Sequence, residues 1–207
     1  MPLRHLPPHP PGHRGRRGGD VALTAALLLC AGGSTRFAGA PSKLLAPFRG
    51  RPLLSWALDQ VVAAELDELI VVVGAVDLTA LLPADGRAVV VENAAWASGQ
   101  ASSLHAGITA AGDRGHDAVV VGLGDQPLVP AAAWAAVAAA TGSAIAIATF
   151  GGRRTPPTRL ARAVWPLLPT EGDAGARVLM AARPDLVREV PCPGDPLDVD
   201  TVEDLLR

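Results

Sequence analysis

From Leu23 onward, short runs of consecutive apolar residues alternate with stretches in which apolar positions recur every three or four residues. Thr24–Cys30 is a continuous apolar run that ends in Ala31-Gly32-Gly33, the pattern of a buried strand feeding a loop. Glu68–Gly74 (ELIVVVG), Arg87–Val91, Ala118–Gly122 (AVVVG) and Ser143–Thr149 predict four more strands. Leu53–Glu65 carries apolar residues at Leu54, Leu58, Val61 and Val62, a helical period. Ser102–Ala111 reads as a helix with Ser102 or Ser103 at its N-cap, and Pro130–Thr141 as an Ala-rich helix opened by proline. Helices are also expected at Leu160–Leu168, Ala174–Arg183 and Val202–Leu206, with short strands near Leu186–Val190 and Leu197–Asp200. Strands alternating with helices predict one α/β domain over residues 21–207, with a mainly parallel, helix-covered sheet. Ligands of such sheets bind at the carboxyl ends of the strands, so the residues that follow strands carry the interest.

The first twenty residues are a different material, with five Pro, four Gly, four Arg and three His. They cannot bury apolar surface and are expected to form a disordered extension, residues 1–20. The basic residues and the apolar run to Cys30 imitate a secretion signal. However, Leu29 precedes the cysteine where a small residue would be needed, so a cytoplasmic protein is expected. Two cysteines establish no disulfide framework, and no apolar run reaches membrane-spanning length. The whole chain carries a formal charge of −2, and aromatic residues make up 3% with no Tyr, which argues against nucleic-acid and acidic-membrane partners.

Composition adds one anomaly: of 18 basic residues only Lys43 is a lysine. It closes the string Leu29-Cys30-Ala31-Gly32-Gly33-Ser34-Thr35-Arg36-Phe37-Ala38-Gly39-Ala40-Pro41-Ser42-Lys43-Leu44-Leu45. Small residues directly after a strand let backbone N–H groups crowd around an anion, and Arg36 and Lys43 add a forked and a point charge. The glycines fit neither a P-loop nor the G-x-G-x-x-G dinucleotide pattern. The string resembles the L-x-x-G-x-S-x-R-(M/F)-G-x-x-K-x-L signature of the MobA-like nucleotidyltransferases of the molybdenum-cofactor type, with two extra residues between Arg36 and Lys43. That resemblance implies a Rossmann-like nucleotidyltransferase domain whose loop wraps the phosphates of an NTP. It assigns Ala31, Gly32, Gly33 and Ser34 to the nucleotide, and Arg36 and Lys43 to catalysis.

Gly122-Leu123-Gly124-Asp125-Gln126-Pro127 puts a carboxylate at a strand's end, as a turn residue or a metal ligand. Leu197-Asp198-Val199-Asp200-Thr201-Val202-Glu203-Asp204 holds two aspartates on one face of the expected strand, and is also a helix-start signature. The two segments resemble the family's G-D-(M/Q)-P and D-(I/V)-D-T-P-E-D-L, with Val202 in place of proline. By that match Asp125 and Asp200 bind Mg2+, and Asp198 is the less certain ligand. The segment from Asn93 to Gly107 contains Trp96, Gly99 and Ser103 in the spacing of N-x-x-W-x-x-G-x-x-x-S-L-x-x-G. The resemblance makes Asn93, Ser103 and Gly107 nucleotide contacts; simple helix capping explains the serines equally. Members that handle molybdopterin often carry Gly-His-Pro where this chain has Thr155-Pro156-Pro157. Arg177, in a G-D-x-G-A-R-like string, either contacts acceptor phosphate or turns into a helix.

Taken together, the resemblance implies transfer of NMP from an NTP, CTP by preference, to the phosphate of a molybdopterin cofactor, with pyrophosphate released and a molybdoenzyme receiving the product. Other readings stay open: a guanylyltransferase acting on molybdopterin or a small phosphorylated acid, a quinone or dye oxidoreductase, or a non-catalytic molybdenum cofactor chaperone.

Overall fold

The computed structural model describes residues 22–33, 37, 42–83 and 85–206. The extension expected at residues 1–20, and the roles expected of Ser34 and Arg36, lie outside the described residues. Nine strands are present in the described chain: β1 Thr24–Leu29, β2 Pro47–Phe48, β3 Arg51–Pro52, β4 Glu68–Val73, β5 Ala88–Glu92, β6 Ala118–Leu123, β7 Ile145–Phe150, β8 Arg153–Ala161 and β9 Val187–Pro191. The α-helices are α1 Leu53–Ala63, α2 Gln100–Asp113, α3 Ala131–Ala139 and α4 Arg177–Ala182.

Seven strands form one sheet in the order β5-β4-β1-β6-β8-β7-β9, and β2 and β3 form a small separate hairpin. Every neighbouring pair in the large sheet is parallel except the two that involve β8. The strands on both faces are apolar because both faces are covered. In β1, Ala26 and Leu28 join the cluster under α1 and α3, where Leu54, Leu58 and Trp134 are buried. Ala25, Leu27 and Leu29 join the opposite cluster, under α2 and α4, with Leu104, Ile108 and Met180. From β1 the chain first builds outward through β4 and β5, then returns to place β6 on the other side of β1. That reversal opens a crevice beyond the carboxyl ends of β1 and β6.

Four expectations need correction. Residues 153–161, expected to precede a helix starting at Leu160, are strand β8, and only Arg162–Leu167 turns as a 3-10 helix. A strand containing Pro156 and Pro157 is possible because the prolines fall outside the ladder. β6 pairs only with residues 158–161, and the β7 ladder shifts register between Ile147 and Thr149, opposite them. The Leu197–Asp200 strand does not form; Val199 N–H donates one backbone bond to Asp125 C=O at 3.1 Å. The closing helix is one 3-10 turn, Glu203–Leu206. Finally, α2 begins before the serines, at Gln100, with Gly99 at the N-cap.

Candidate active site

Each turn that follows a strand at the crevice is fixed by close packing. After β1, Cys30 N–H donates to Val72 C=O at 2.8 Å and Ala31 C=O accepts from Ala75 N–H at 3.3 Å. Ala31 is therefore buried, whereas Gly32 is exposed and Gly33 half-buried. The ring of Trp96 covers Gly33: a Cβ there would lie 2.6 Å from Trp96 Cζ3. Trp96 thus packs on the glycine segment. After β6, Gly124 sits so tightly that a Cβ would come within 2.8 Å of Cys30 Sγ, and this brings Asp125 beside the loop of β1. The Cys30 thiol, pushed far up by burial and by Asp125, is no nucleophile.

Lys43 opens a 3-10 turn, Lys43–Leu45, that the buried Ser42 caps by accepting from Leu44 N–H at 3.2 Å. Its Nζ lies 2.6 Å from Asp125 Oδ2 and 2.8 Å from Asp200 Oδ1. Burial alone would lower the Lys43 pKa, but Asp125 and Asp200 outweigh it and hold the ammonium above its ordinary value. The structure therefore joins three residues that are far apart in sequence. Asp200 is presented by a reciprocal cap, in which Asp204 Oδ2 accepts from Thr201 N–H at 3.0 Å and Thr201 Oγ1 accepts from Asp204 N–H at 3.3 Å.

Asp198 belongs to the same group. Burial, with Asp125 adding to it, pushes its carboxyl up, and Gln126 and Arg153 counter part of that rise. Gln126, which the sequence reading passed over, is buried and its Nε2 donates to Thr155 Oγ1 at 3.1 Å. The only sequence signal for it is its place directly after Asp125. Asp125 Oδ1 and Asp198 Oδ1 are both buried without a hydrogen-bond partner. Carboxylate oxygens left in this condition suit a hard divalent cation. Among the described residues no group of three metal-ligating side chains forms a ready cage. A cation held here by Asp125 and Asp200 would complete its shell with phosphate and water oxygens, the usual habit of Mg2+.

A cavity of about 550 Å³ runs from Asp125, Asp198 and Asp200 along the sheet face under α2 and α4. Its floor includes Leu29, Val121, Ile147 and Leu160, its wall Gln126 and Thr155, and its rim Arg153 and Arg177. Arg177 donates to the C=O groups of Ala174 and Asp173, and Arg153 to Pro196 C=O. Across one end lies a strap, residues 171–176. Gly172 N–H donates to Ser98 C=O at 3.3 Å, and Gly172 C=O accepts from Ala101 N–H at 2.9 Å. The approach is close enough that a Cβ on Gly99, whose φ is 113°, would lie 2.6 Å from the carbonyl carbon of Gly172.

The remaining expected contacts are internally bonded. Asn93 Nδ2 donates to Ser102 Oγ at 2.9 Å and Ser103 Oγ at 3.0 Å, and Asn93 Oδ1 accepts from Ala95 N–H. This ties the end of β5 to the start of α2. Gly107, assigned to the nucleotide by resemblance, instead faces the sheet. A Cβ there would meet Leu27 Cδ1 and come within 2.7 Å of Cδ2, so its smallness serves helix–strand packing.

Comparison with known proteins shows the family and the fold. A model of the MobA-like NTP transferase domain matches residues 26–187. Nicotine blue oxidoreductase of Paenarthrobacter nicotinovorans is 31% identical over 203 residues, 91% of this chain and 97% of that protein. The bifunctional protein GlmU of Sinorhizobium fredii is 35% identical over 109 residues, 52% of this chain and 24% of that much longer protein. Among solved structures, Rv0371c of Mycobacterium tuberculosis aligns with a TM-score of 0.76 at 30% identity, covering 90% of this chain and 96% of that one. A second structure of Rv0371c, in complex with manganese, aligns with a TM-score of 0.71 at 30% identity, covering 88% and 95%.

Proposed function

The chain belongs to the MobA-like NTP transferase family and is a nucleotidyltransferase; from that premise we propose that it moves CMP from CTP to the phosphate of a molybdopterin-type acceptor, releasing pyrophosphate, with Mg2+ as cofactor. The observation that carries the reading is Lys43 bridging Asp125 and Asp200 at the mouth of a cavity beside the glycine segment. In this reading Asp125 and Asp200 hold the metal, which neutralises triphosphate charge when bound. Gly32, Gly33 and Ser34 line the phosphates, and Lys43 and Arg36 meet the negative charge that grows as the acceptor phosphate attacks in line. Asn93 and Ser103 stand on the nucleotide side and exchange their mutual hydrogen bonds for the substrate. The acceptor occupies the cavity, its flat body on the apolar floor and its anionic groups toward Arg153 and Arg177. The similar protein Rv0371c was solved in complex with manganese, which supports a divalent cation for this chain. The expected setting is the cytoplasm.

The similarity to nicotine blue oxidoreductase favours a second reading, an oxidoreductase, which would call for NAD(P)H or a flavin. The glycine segment after β1 does not support it, because Gly32, Gly33 and Gly39 miss the dinucleotide spacing. Thermal unfolding with CTP, GTP, ATP or NADPH, each with and without Mg2+, separates the two. Nucleotidyl transfer predicts metal-dependent stabilisation, strongest with CTP, that Asp125→Asn removes. Stabilisation by NADPH alone, without metal, overturns it. Preference for GTP would convert the assignment to a guanylyltransferase.

A further inference from the structure

Lys43 stands where a cation between Asp125 and Asp200 would have to sit. Its Nζ is within 2.8 Å of both carboxylates, bonding the same Oδ2 and Oδ1 atoms that are oriented toward the gap. The two remaining buried oxygens, Asp125 Oδ1 and Asp198 Oδ1, have no partner. The group thus carries more acidic oxygens than one ammonium satisfies, yet the ammonium occupies the centre. Its side chain is 15% exposed, so it is held there in a partly dry setting where like charges are weakly screened. Asp200, by contrast, is 60% exposed, which leaves the pair open to solvent cations on one side.

We propose that Lys43 is a built-in counter-cation that a divalent metal must displace, which keeps metal off the nucleotide-free protein and makes metal and triphosphate enter together. A metal ion bound to Asp125 Oδ2 and Asp200 Oδ1 would sit against the ammonium that already bonds both, and the two cations repel, so they compete for that pair. The flexible lysine stem can leave its carboxylates without moving the capped turn that carries it. Once displaced, the ammonium has left two carboxylates, and a triphosphate at the glycine segment offers it anionic oxygens in their place. Metal and nucleotide are then positively coupled through one side chain, and the coupling is reciprocal. This rests on the nucleotidyltransferase reading above, but adds a binding order that the reading alone does not contain.

The test is Mn2+ binding to the nucleotide-free full chain, read as free Mn2+ by electron paramagnetic resonance and as the Mn2+-induced rise in melting temperature. Lys43→Met, neutral and of similar length, is expected to bind Mn2+ at least tenfold more tightly than wild type and to gain a larger melting shift. Lys43→Arg, which keeps the charge, is expected to bind as weakly as wild type. Adding Asp125→Asn to Lys43→Met should abolish the gain, which fixes the site. Equal or weaker Mn2+ binding by Lys43→Met overturns the proposal, as does Lys43→Arg binding as tightly as Lys43→Met. Should Lys43→Met not fold, Lys43→Gln is read by the same criteria. Wild type that releases pyrophosphate from CTP while Lys43→Met shows unchanged Mn2+ affinity sinks this inference alone. Wild type that releases no pyrophosphate from any NTP sinks the transferase reading, and the metal titration remains readable.

Discussion

Gly107 gives the sharpest test of packing against binding. Gly107→Ala places a methyl group against Leu27, which is fully buried, within 2.7 Å of Cδ2 and 3.0 Å of Cγ. Leu27 has little room to swing aside, because Ile70 and Val121 lie beside it on the neighbouring strands and α2 lies above. Two effects oppose each other. Alanine in place of glycine in the middle of α2 favours the helix by about 1 kcal/mol. Overpacking a filled core costs ~1–3 kcal/mol, and retreating from contacts this short belongs at the upper end. The net expectation is a loss of ~2 kcal/mol, or a melting temperature lower by about 4–8 °C. Guanidinium unfolding at pH 7 measures it. In a Leu27→Ala background the sign should reverse, since the new methyl then fills part of the space and keeps its helix preference. A Gly107→Ala protein with an unchanged unfolding midpoint and a raised KM for the nucleotide would refute this account and restore the role that resemblance assigned.

Two further outcomes follow from the geometry. Burial alone would raise the Glu68 carboxyl, but hydrogen bonds from Arg114 and His116 outweigh it and hold its pKa below the ordinary glutamate value. Its contribution to stability is then complete above the unfolded-state pKa and lost as pH falls through the lower, folded value. The stability difference between wild type and Glu68→Gln should shrink as pH falls below about 4; a difference that stays constant from about pH 5 down to about pH 3 contradicts the linkage. Arg177→Ala should raise the KM for the acceptor by about tenfold, the loss of one charged hydrogen bond. The nucleotide-induced melting shift should stay unchanged, and a change in it would place Arg177 on the nucleotide side.

Strands β1, β4, β5, β6 and β7 were legible because a sheet covered on both faces writes itself as unbroken apolar runs, as in LIVVV at β4, whereas the two-residue strands β2 and β3 carry no such run. α1 was equally clear, since Leu54, Leu58 and Val61 fall on its one buried stripe. β8 was not, because its sequence, RRTPPTRLA, carries three Arg and two Pro, and nothing local says that the prolines face a break in the ladder. Half of the candidate site was legible as strand-following motifs. The other half is long-range: Lys43, Asp125 and Asp200 lie in separate segments, and only the fold makes them one charge group. Asp198 and Asp200 were expected to share a strand face. What unites them is a strandless segment tied to Asp125 by one backbone bond. For Gly107 the sequence could not show the packing against Leu27, because a glycine kept for a ligand and one kept for a neighbouring leucine look alike in sequence.

The strap over the cavity is fastened to α2 through peptide groups, Gly172 to Ser98 and Ala101. Peptide groups are the same in every residue, so side chains at 171, 173, 174 and 176 can change while the fastening stays. Ala174 and Ala176 border the end of the cavity that carries Arg177. The protein can therefore vary what it accepts in that cavity without rebuilding the wall, and without touching the lysine and aspartates at its other end. At such a seam the requirement on Gly99 is steric and that on Gly172 is its positive φ, while the requirement on Ala174 and Ala176 comes from the molecule being held.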